Sequence, residues 1–352
     1  MEKMLKDLAL RINGKRSWEP GLFTGEMGSC LSLYLVNKEI CDKGIEKIAD
    51  GLLDKVIDSL ETMKDSSFVS GITGIGWAIN CLYMNNCIGG DIDNILYNID
   101  AIVYKKVHNQ QEKIDINLTN GLVGYLVYVV SRLMNDTQKE DNLQKKLNED
   151  TLRSIVDWFE LSIPSRFPMM SKDLHPTLLW EFPILFYCLG KAIKMGIYKE
   201  KICNMCGIWS YYITSMLPFL NINRLAIANS LAYLNGALKN KAIESYIDTL
   251  FYSINFDTYV HEIKNDNFSL CGDWFYGMLN SFMAKTLMDR KHIRYSELDI
   301  INKKIQKLYN KSAKESLSKM DDVQPNVTLV EGYSGALLAY SLFQKYMKNN
   351  DN

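Results

Sequence analysis

A Gly-x-x-Gly pair at the mouth of a strongly apolar run occurs four times in this chain. The copies are "GLFTGEMGSCLSLYL" (Gly21 to Leu35), "FVSGITGIGWAINCL" (Phe68 to Leu82), "NLTNGLVGYLVYVV" (Asn117 to Val130) and "LVEGYSGALLAYSL" (Leu329 to Leu342). Recurrence at a spacing of roughly fifty residues is the mark of a repeat architecture, which restricts the fold before any other feature is read.

The segments between the motifs follow a different pattern. In "KGIEKIADGLLDKVIDSLETM", Ile45, Ile48, Leu52, Val56 and Leu60 share one helical face, and lysines and acids fill the other. "ELDIINKKIQKLYNKSAKESL" behaves alike through Ile301, Ile305, Leu308 and Tyr309. The runs after the glycines, such as "IGWAINCLYM", are apolar on nearly every face and require cover on several sides. One-faced outer helices therefore alternate with buried inner ones. Glycines that open the inner helices tolerate positive φ and let neighbouring backbones crowd together where those helices converge. Period-two alternation is sustained nowhere, so no sheet is expected.

Three degraded copies complete the series. "LHPTLLWEFPILFYCLGKAI" has Trp180 and Pro183 in the glycine slots, and proline suits a first helical turn. "NRLAIANSLAYLNGAL" has Ser230 and Tyr233 there, and "FSLCGDWFYGMLNSFMAKTL" has Trp274 and Gly277. Amphipathic segments precede them at about 146–163, 198–217 and 241–254, and "EKMLKDLALRI" precedes the first motif. The expectation is an all-α, single-domain chain over residues 1–352, an α/α toroid of about seven outer and seven inner helices.

Composition narrows the function. Hydrophobic residues make up 47% and charged residues 23%, as in an ordinary folded protein. A net charge of −1 gives no attraction to nucleic acid or to an acidic membrane surface. No apolar run reaches the ~20 residues that span a bilayer, and the first residues lack a signal-peptide core. The eight cysteines show no framework spacing, which predicts reduced thiols and a cytoplasmic location.

With these motifs on the page, the chain resembles the lanthionine synthetase C-like family along essentially its full length. The carriers are "GLFTGEMG", "SGITGIGWA", "TNGLVG" and "EGYSG". The resemblance implies a seven-fold α/α toroid and enzymes that cyclise peptides. In them a zinc ion held by two cysteines and a histidine activates a peptide thiolate, which adds to a dehydrated residue to form a thioether. Zinc lowers the thiol's pKa and keeps one coordination position open. The family's Cys-His-Gly-x-x-Gly corresponds here to Val330 and Glu331 before Gly332. The remaining zinc cysteine falls at Gly272, with Cys271 one residue away as the only possible remnant. Asn229 stands in the slot of the acid–base histidine and cannot titrate. The family's catalytic aspartate corresponds to Asn117, with Asp115 two residues before it. No cofactor is expected, and zinc only if the slot alignment slips.

Other chemistry is limited. Among four histidines only His175, beside Pro176 at the fourth entry, is placed suggestively. Cys203-x-x-Cys206 lies within an outer helix with no second pair, which reads as buried thiols rather than a redox or zinc motif. Glu26, Glu181, Asp273 and Glu331 lie in or beside the glycine slots, so a toroid would turn them toward a common mouth. Such carboxylates suit glycoside hydrolysis, and they equally suit capping of helix N-termini. Trp180, Trp274 and Tyr333 could line a peptide or sugar pocket.

The leading expectation is a zinc-free relative that binds a peptide through Glu26, Trp180, Glu181, Trp274 and Tyr333. It would act as an accessory or scaffold in ribosomal peptide modification, with a precursor peptide or a modification enzyme as partner. One alternative is a peptide cyclase with a rearranged site. Another is a carboxylate-dependent glycoside hydrolase. Glu331, Asp273 and Asn229 are the catalytic candidates, and neither nucleic acid nor membrane insertion is expected.

Overall fold

A computed structural model describes residues 19–109, 115–135, 142–171 and 181–263, with scattered positions nearer either end, among them Leu329, Ser334, Gly335, Leu337 and Leu338. Among these residues every regular element is helical. The order is α1 (Glu26–Ile40), α2 (Lys43–Leu60), α3 (Ile72–Met84), α4 (Ile92–His108), α5 (Leu122–Leu133), α6 (Leu143–Ser162), a 3-10 helix (Pro164–Ser171), α7 (Glu181–Lys194), α8 (Lys199–Thr214), α9 (Asn221–Leu238), α10 (Lys241–Tyr252) and α11 (Phe256–Ile263). The odd-numbered helices through α9 are the apolar inner ones, and the even-numbered helices through α10 are the one-faced outer ones. The sixth inner helix lies outside the described residues.

Burial follows the sequence pattern. In α2, Ile45, Ala49 and Val56 are buried while Glu46, Lys47, Lys55 and Asp58 face solvent. In α5 almost every residue from Leu122 to Val130 is buried, and α1 and α3 behave alike. Asp42, Asn142 and Asn240 cap the outer helices α2, α6 and α10 with their side-chain oxygens. The inner helices α1, α3 and α5 have glycine at that position and no side-chain cap.

The described residues group into two compact units. One runs from the N-terminus to Ile95 and includes the Leu329–Leu338 positions. The other runs from Leu96 to Asn265. In the first unit α1 packs against α2 and α3. The last glycine motif joins it there: the Leu329 N–H donates to Phe23 O at 3.0 Å, and the Phe23 N–H donates to Val69 O at 2.9 Å. Buried Ser29 and Ser334 share a hydrogen bond at 2.9 Å. The first motif is thus flanked by the second and the last, which lies some three hundred residues away in the sequence.

In the second unit α5 packs on α6 and α7, α7 on α8 and α9, and α9 on α10 and α11. One buried polar cluster lies in this core. Asp100 of α4 accepts from Arg132 Nε (3.1 Å) and from Tyr128 Oη (2.7 Å), both on α5. A second guanidinium nitrogen reaches the other carboxylate oxygen at 2.9 Å. Burying such a pair is tolerable only with this degree of hydrogen bonding, and the geometry fixes the register of α4 on α5.

Of the two reasons expected for these glycines, the close approach of backbones holds and positive φ does not. Gly25, Gly71 and Gly121 have φ of −120°, −103° and −114°, ordinary extended backbone. Among the described residues, the glycines with positive φ are Gly90 and Gly196, outside the motifs. The motif glycines are required because each loop folds back on its own helix. A Cβ on Gly25, Gly71 or Gly121 would lie 2.3–2.4 Å from the carbonyl oxygen of Glu19, Asp65 or Asp115. A Cβ on Gly28, Gly74 or Gly335 would lie 1.9–2.1 Å from that of Leu22, Phe68 or Leu329. Both glycines therefore clear a carbonyl six residues upstream.

Candidate functional site

The first turn of an inner helix exposes N–H groups that need acceptors. In α1 the N–H groups of Glu26 and Met27 donate to Glu19 O (2.8 Å) and Pro20 O (3.2 Å). In α3 Ile72 donates to Asp65 O at 2.9 Å, and in α5 Leu122 and Val123 donate to Asp115 O (2.8 Å) and Ile116 O (3.2 Å). An acidic residue thus stands six positions before the first glycine in each of three copies: Glu19, Asp65 and Asp115. Asp65 turns its carboxylate onto Ser67 N and Oγ at 2.8 and 2.9 Å. Asp115 accepts from Ile116 N at 2.6 Å and from the Asn117 amide at 2.9 Å.

In the second unit these loops meet a cation. Arg166, on the 3-10 helix, donates to Asp115 at 3.0 Å and to Glu181, first residue of α7, at 3.4 Å. Burial works against ionisation of Asp115, but the Ile116 N–H, the Asn117 amide and Arg166 outweigh it and hold the carboxyl below its ordinary range. Behind Arg166, Phe167 stacks between Phe182 of α7 and Tyr212 near the end of α8. The chain then turns through residues 215–220 into α9. The N-termini of α5, α7 and α9 therefore lie at one end of this unit.

The start of α9 differs. Its first two N–H groups, of Asn221 and Ile222, donate to the two oxygens of Glu262 at 3.0 and 2.9 Å, and the Asn221 amide adds a bond at 2.8 Å. Arg224 donates to the carbonyls of Pro218 (2.8 Å), Phe219 (3.3 Å) and Ser253 (2.7 Å), which fixes the loop. Phe219 is held there with 66% of its surface exposed.

This geometry corrects the fifth repeat. Asn229 was expected beside the first turn at the mouth, with Ser230 and Tyr233 in the glycine slots. It is the ninth residue of α9 and fully buried. Counted from the helix start as in α1, α3 and α5, the slots are Leu220 and Asn223, and the position before them is Phe219. The apolar run misled because it continues well into the helix, while the true start carries neither glycine nor a side-chain cap. Pro218, just upstream, was the available signal, since proline cannot extend the preceding helix.

The remaining candidates divide simply. Glu26 and Glu181 open α1 and α7, each half-buried, and Pro183 sits in the first turn of α7. Cys206 is buried on α8, where desolvation pushes its thiol far up, and Cys203 is half-buried. Trp180, His175, Cys271, Asp273, Trp274, Glu331 and Tyr333 lie outside the described residues. Among the described residues no three His, Cys, Asp or Glu side chains come together as metal ligands. The positions to which the family resemblance assigns zinc, Val330, Glu331 and Gly272 beside Cys271, lie outside the described residues. Arg166, Glu262 and the Asp100–Arg132 pair were not singled out from the sequence, because long-range partners leave no local spacing.

Among the described residues, inner helices opened in three copies by folded-back glycine loops and covered by amphipathic outer helices define a class of helical repeat protein. Residues 16–176 match the family model described as lanthionine synthetase C-like protein, which supports membership of that family. The match covers the first three glycine motifs and ends before α7. No curated protein matches the chain. Among the described residues no helix is long and apolar enough to cross a membrane.

Proposed function

We propose that this chain is a zinc-free, divergent lanthionine synthetase C-like protein that binds a peptide, as an accessory or scaffold in ribosomal peptide modification. The observation that supports this reading best is Phe219. It occupies the position before the fifth inner helix where the family resemblance calls for an acid–base histidine, and it is exposed on a loop pinned by Arg224. A phenyl ring cannot move a proton. It can anchor an apolar side chain, and a fixed aromatic does so with little loss of conformational freedom.

The neighbouring loops supply what an extended backbone needs. Asp115 and Glu181 offer acceptors and Arg166 offers donors at the same end of the unit. A peptide's N–H and C=O groups must find such partners when they leave water. Retained helix-opening loops beside altered chemical slots fit a surface that still holds a peptide without transforming it.

The test is a calorimetric titration with the precursor peptides encoded near this gene. Saturable binding is expected, weakened about tenfold by Phe219→Ala, which corresponds to roughly 1.4 kcal/mol. Absence of binding to every such peptide would overturn the proposal. Thioether formation on a dehydrated peptide, together with stoichiometric zinc in the purified protein, would put a rearranged cyclase in its place.

A further inference from the structure

The outer helices α2, α6 and α10 turn charged residues to solvent: Glu46, Lys47 and Asp58 on the first, Asp150 and Arg153 on the second, Lys241 and Glu244 on the third. The outer helix α8 does so only in its first turn, at Lys199 and Glu200. Between Lys201 and Arg224 the sequence contains no Asp, Glu, Lys, Arg or His. Past that turn the solvent-facing positions of α8 are Asn204, Gly207, Ile208, Tyr211 and Tyr212. Ile208 is 63% exposed and Tyr211 77%, one helical turn apart, and Leu217 follows at 46%.

We infer that this face of α8 is the contact by which two copies of the chain form a two-fold dimer, with Ile208 and Tyr211 near the axis. The argument is one of charge. In a two-fold contact, residues near the axis meet their own counterparts, so any charge there faces its like. The α2, α6 and α10 faces fail that condition, and α8 past its first turn meets it with a more exposed apolar surface than α4, where Ile95, Tyr97 and Ile102 are 45%, 51% and 37% exposed. A strongly charged peptide or an anionic lipid surface would find no counter-charge at the centre of this face, where Lys199, Lys201 and Lys241 lie only along its border.

Size and surroundings agree. Ile208, Tyr211, Tyr212 and Leu217 expose on the order of 500 Å² together, so that two copies bury about 1,000 Å², near the lower bound of a specific interface. The Lys201–Glu160 ion pair lies where α8 begins and Lys241 and Glu244 lie on the adjacent helix, which gives the apolar centre a polar border.

Sedimentation equilibrium on the full chain decides it. Wild type is expected at twice 40.4 kDa. Ile208→Asp and Tyr211→Lys should each sediment as monomers with unchanged helical circular dichroism, since both side chains are exposed. Mixing Tyr211→Lys with Tyr211→Glu should restore a dimer, because opposite charges then meet across the axis. A wild type that stays at 40.4 kDa at the highest attainable concentration, or a dimer indifferent to both substitutions, overturns the inference.

Discussion

The inner helices α5 and α9 belong to the same unit and begin with the same need, two acceptors for the first two N–H groups. They meet it by different means. At α5 the loop returns on itself, and the carbonyls of Asp115 and Ile116 accept at 2.8 and 3.2 Å. This works only because Gly121 has no Cβ to strike Asp115 O. At α9 the position corresponding to Gly121 is Leu220, and the carboxylate of Glu262, some forty residues onward, accepts both bonds. The repeat therefore preserves a pair of acceptors rather than a pair of glycines. Where a side chain supplies them, the loop is released from folding back, and here it displays an aromatic ring instead.

The sharpest way to break the comparison is to put a methyl group where the folded-back loop has no space. Gly74→Ala would place Cβ 1.9 Å from Phe68 O, so the loop must open and release its hydrogen bonds. A loss of about 3–5 kcal/mol is expected in urea unfolding, at the severe end for single substitutions. A loss below about 1 kcal/mol would mean that the loop reshapes freely and that glycine is not what holds it.

The next effect separates main-chain from side-chain acceptors. Glu262→Ala removes both partners of the α9 N–H groups and should cost about 1–3 kcal/mol, less for Glu262→Gln, which keeps one oxygen acceptor. Glu19→Ala is the matched control. There the main-chain carbonyl is the acceptor and survives the substitution, so a change within about 0.5 kcal/mol is expected. Equal losses at both positions would erase the distinction between the two kinds of start.

This contrast also explains what could be read from the sequence. The inner and outer helices of the first five repeats were legible because burial imposes a 3.6-residue pattern on a contiguous segment, and α2, α6, α8 and α10 fall close to where that pattern places them. The glycine loops were legible as positions, and of the two reasons expected for them close approach holds where positive φ does not. The same letter serves positive φ and close approach, and only coordinates separate them. The start of α9 was misread because its acceptor is Glu262, and a helix capped from a distance carries no local sign of where it begins. Arg166 escaped for the same reason: its partners, Asp115 on the loop before α5 and Glu181 at the start of α7, are brought to it only by the fold.

A smaller effect of opposite sign tests whether the glycine penalty belongs to the motifs. Gly51 is exposed in the middle of α2, and a Cβ there would have nothing within 4 Å. Gly51→Ala should therefore stabilise the chain by about 0.5–1 kcal/mol through helix propensity and reduced freedom of the unfolded chain. Thermal unfolding of this variant beside Gly74→Ala gives two glycine-to-alanine changes with opposite outcomes in one unit. If both destabilise, the carbonyl contact is not the cause.

The smallest effect concerns the side chain that α5 keeps beside its main-chain acceptor. Burial disfavours the charged form of Asp115, yet its hydrogen bonds and Arg166 hold the folded pKa below the ordinary carboxylate value of about 3.9. A depressed folded pKa means that ionised Asp115 favours the folded state. The contribution is present above the unfolded pKa and is lost as pH falls through the folded one. The side chain is 56% exposed and solvent screens it, so the gain is expected to be well under about 1 kcal/mol. Urea unfolding of wild type and Asp115→Asn should differ slightly at neutral pH and converge as pH falls through the lowered folded pKa of Asp115. If the two coincide at neutral pH as well, the carboxylate contributes nothing and α5 is opened by its main chain alone. Arg166 would then lose its stabilising role toward Asp115 and keep only Glu181 as a partner, leaving the third loop as self-contained as the first two.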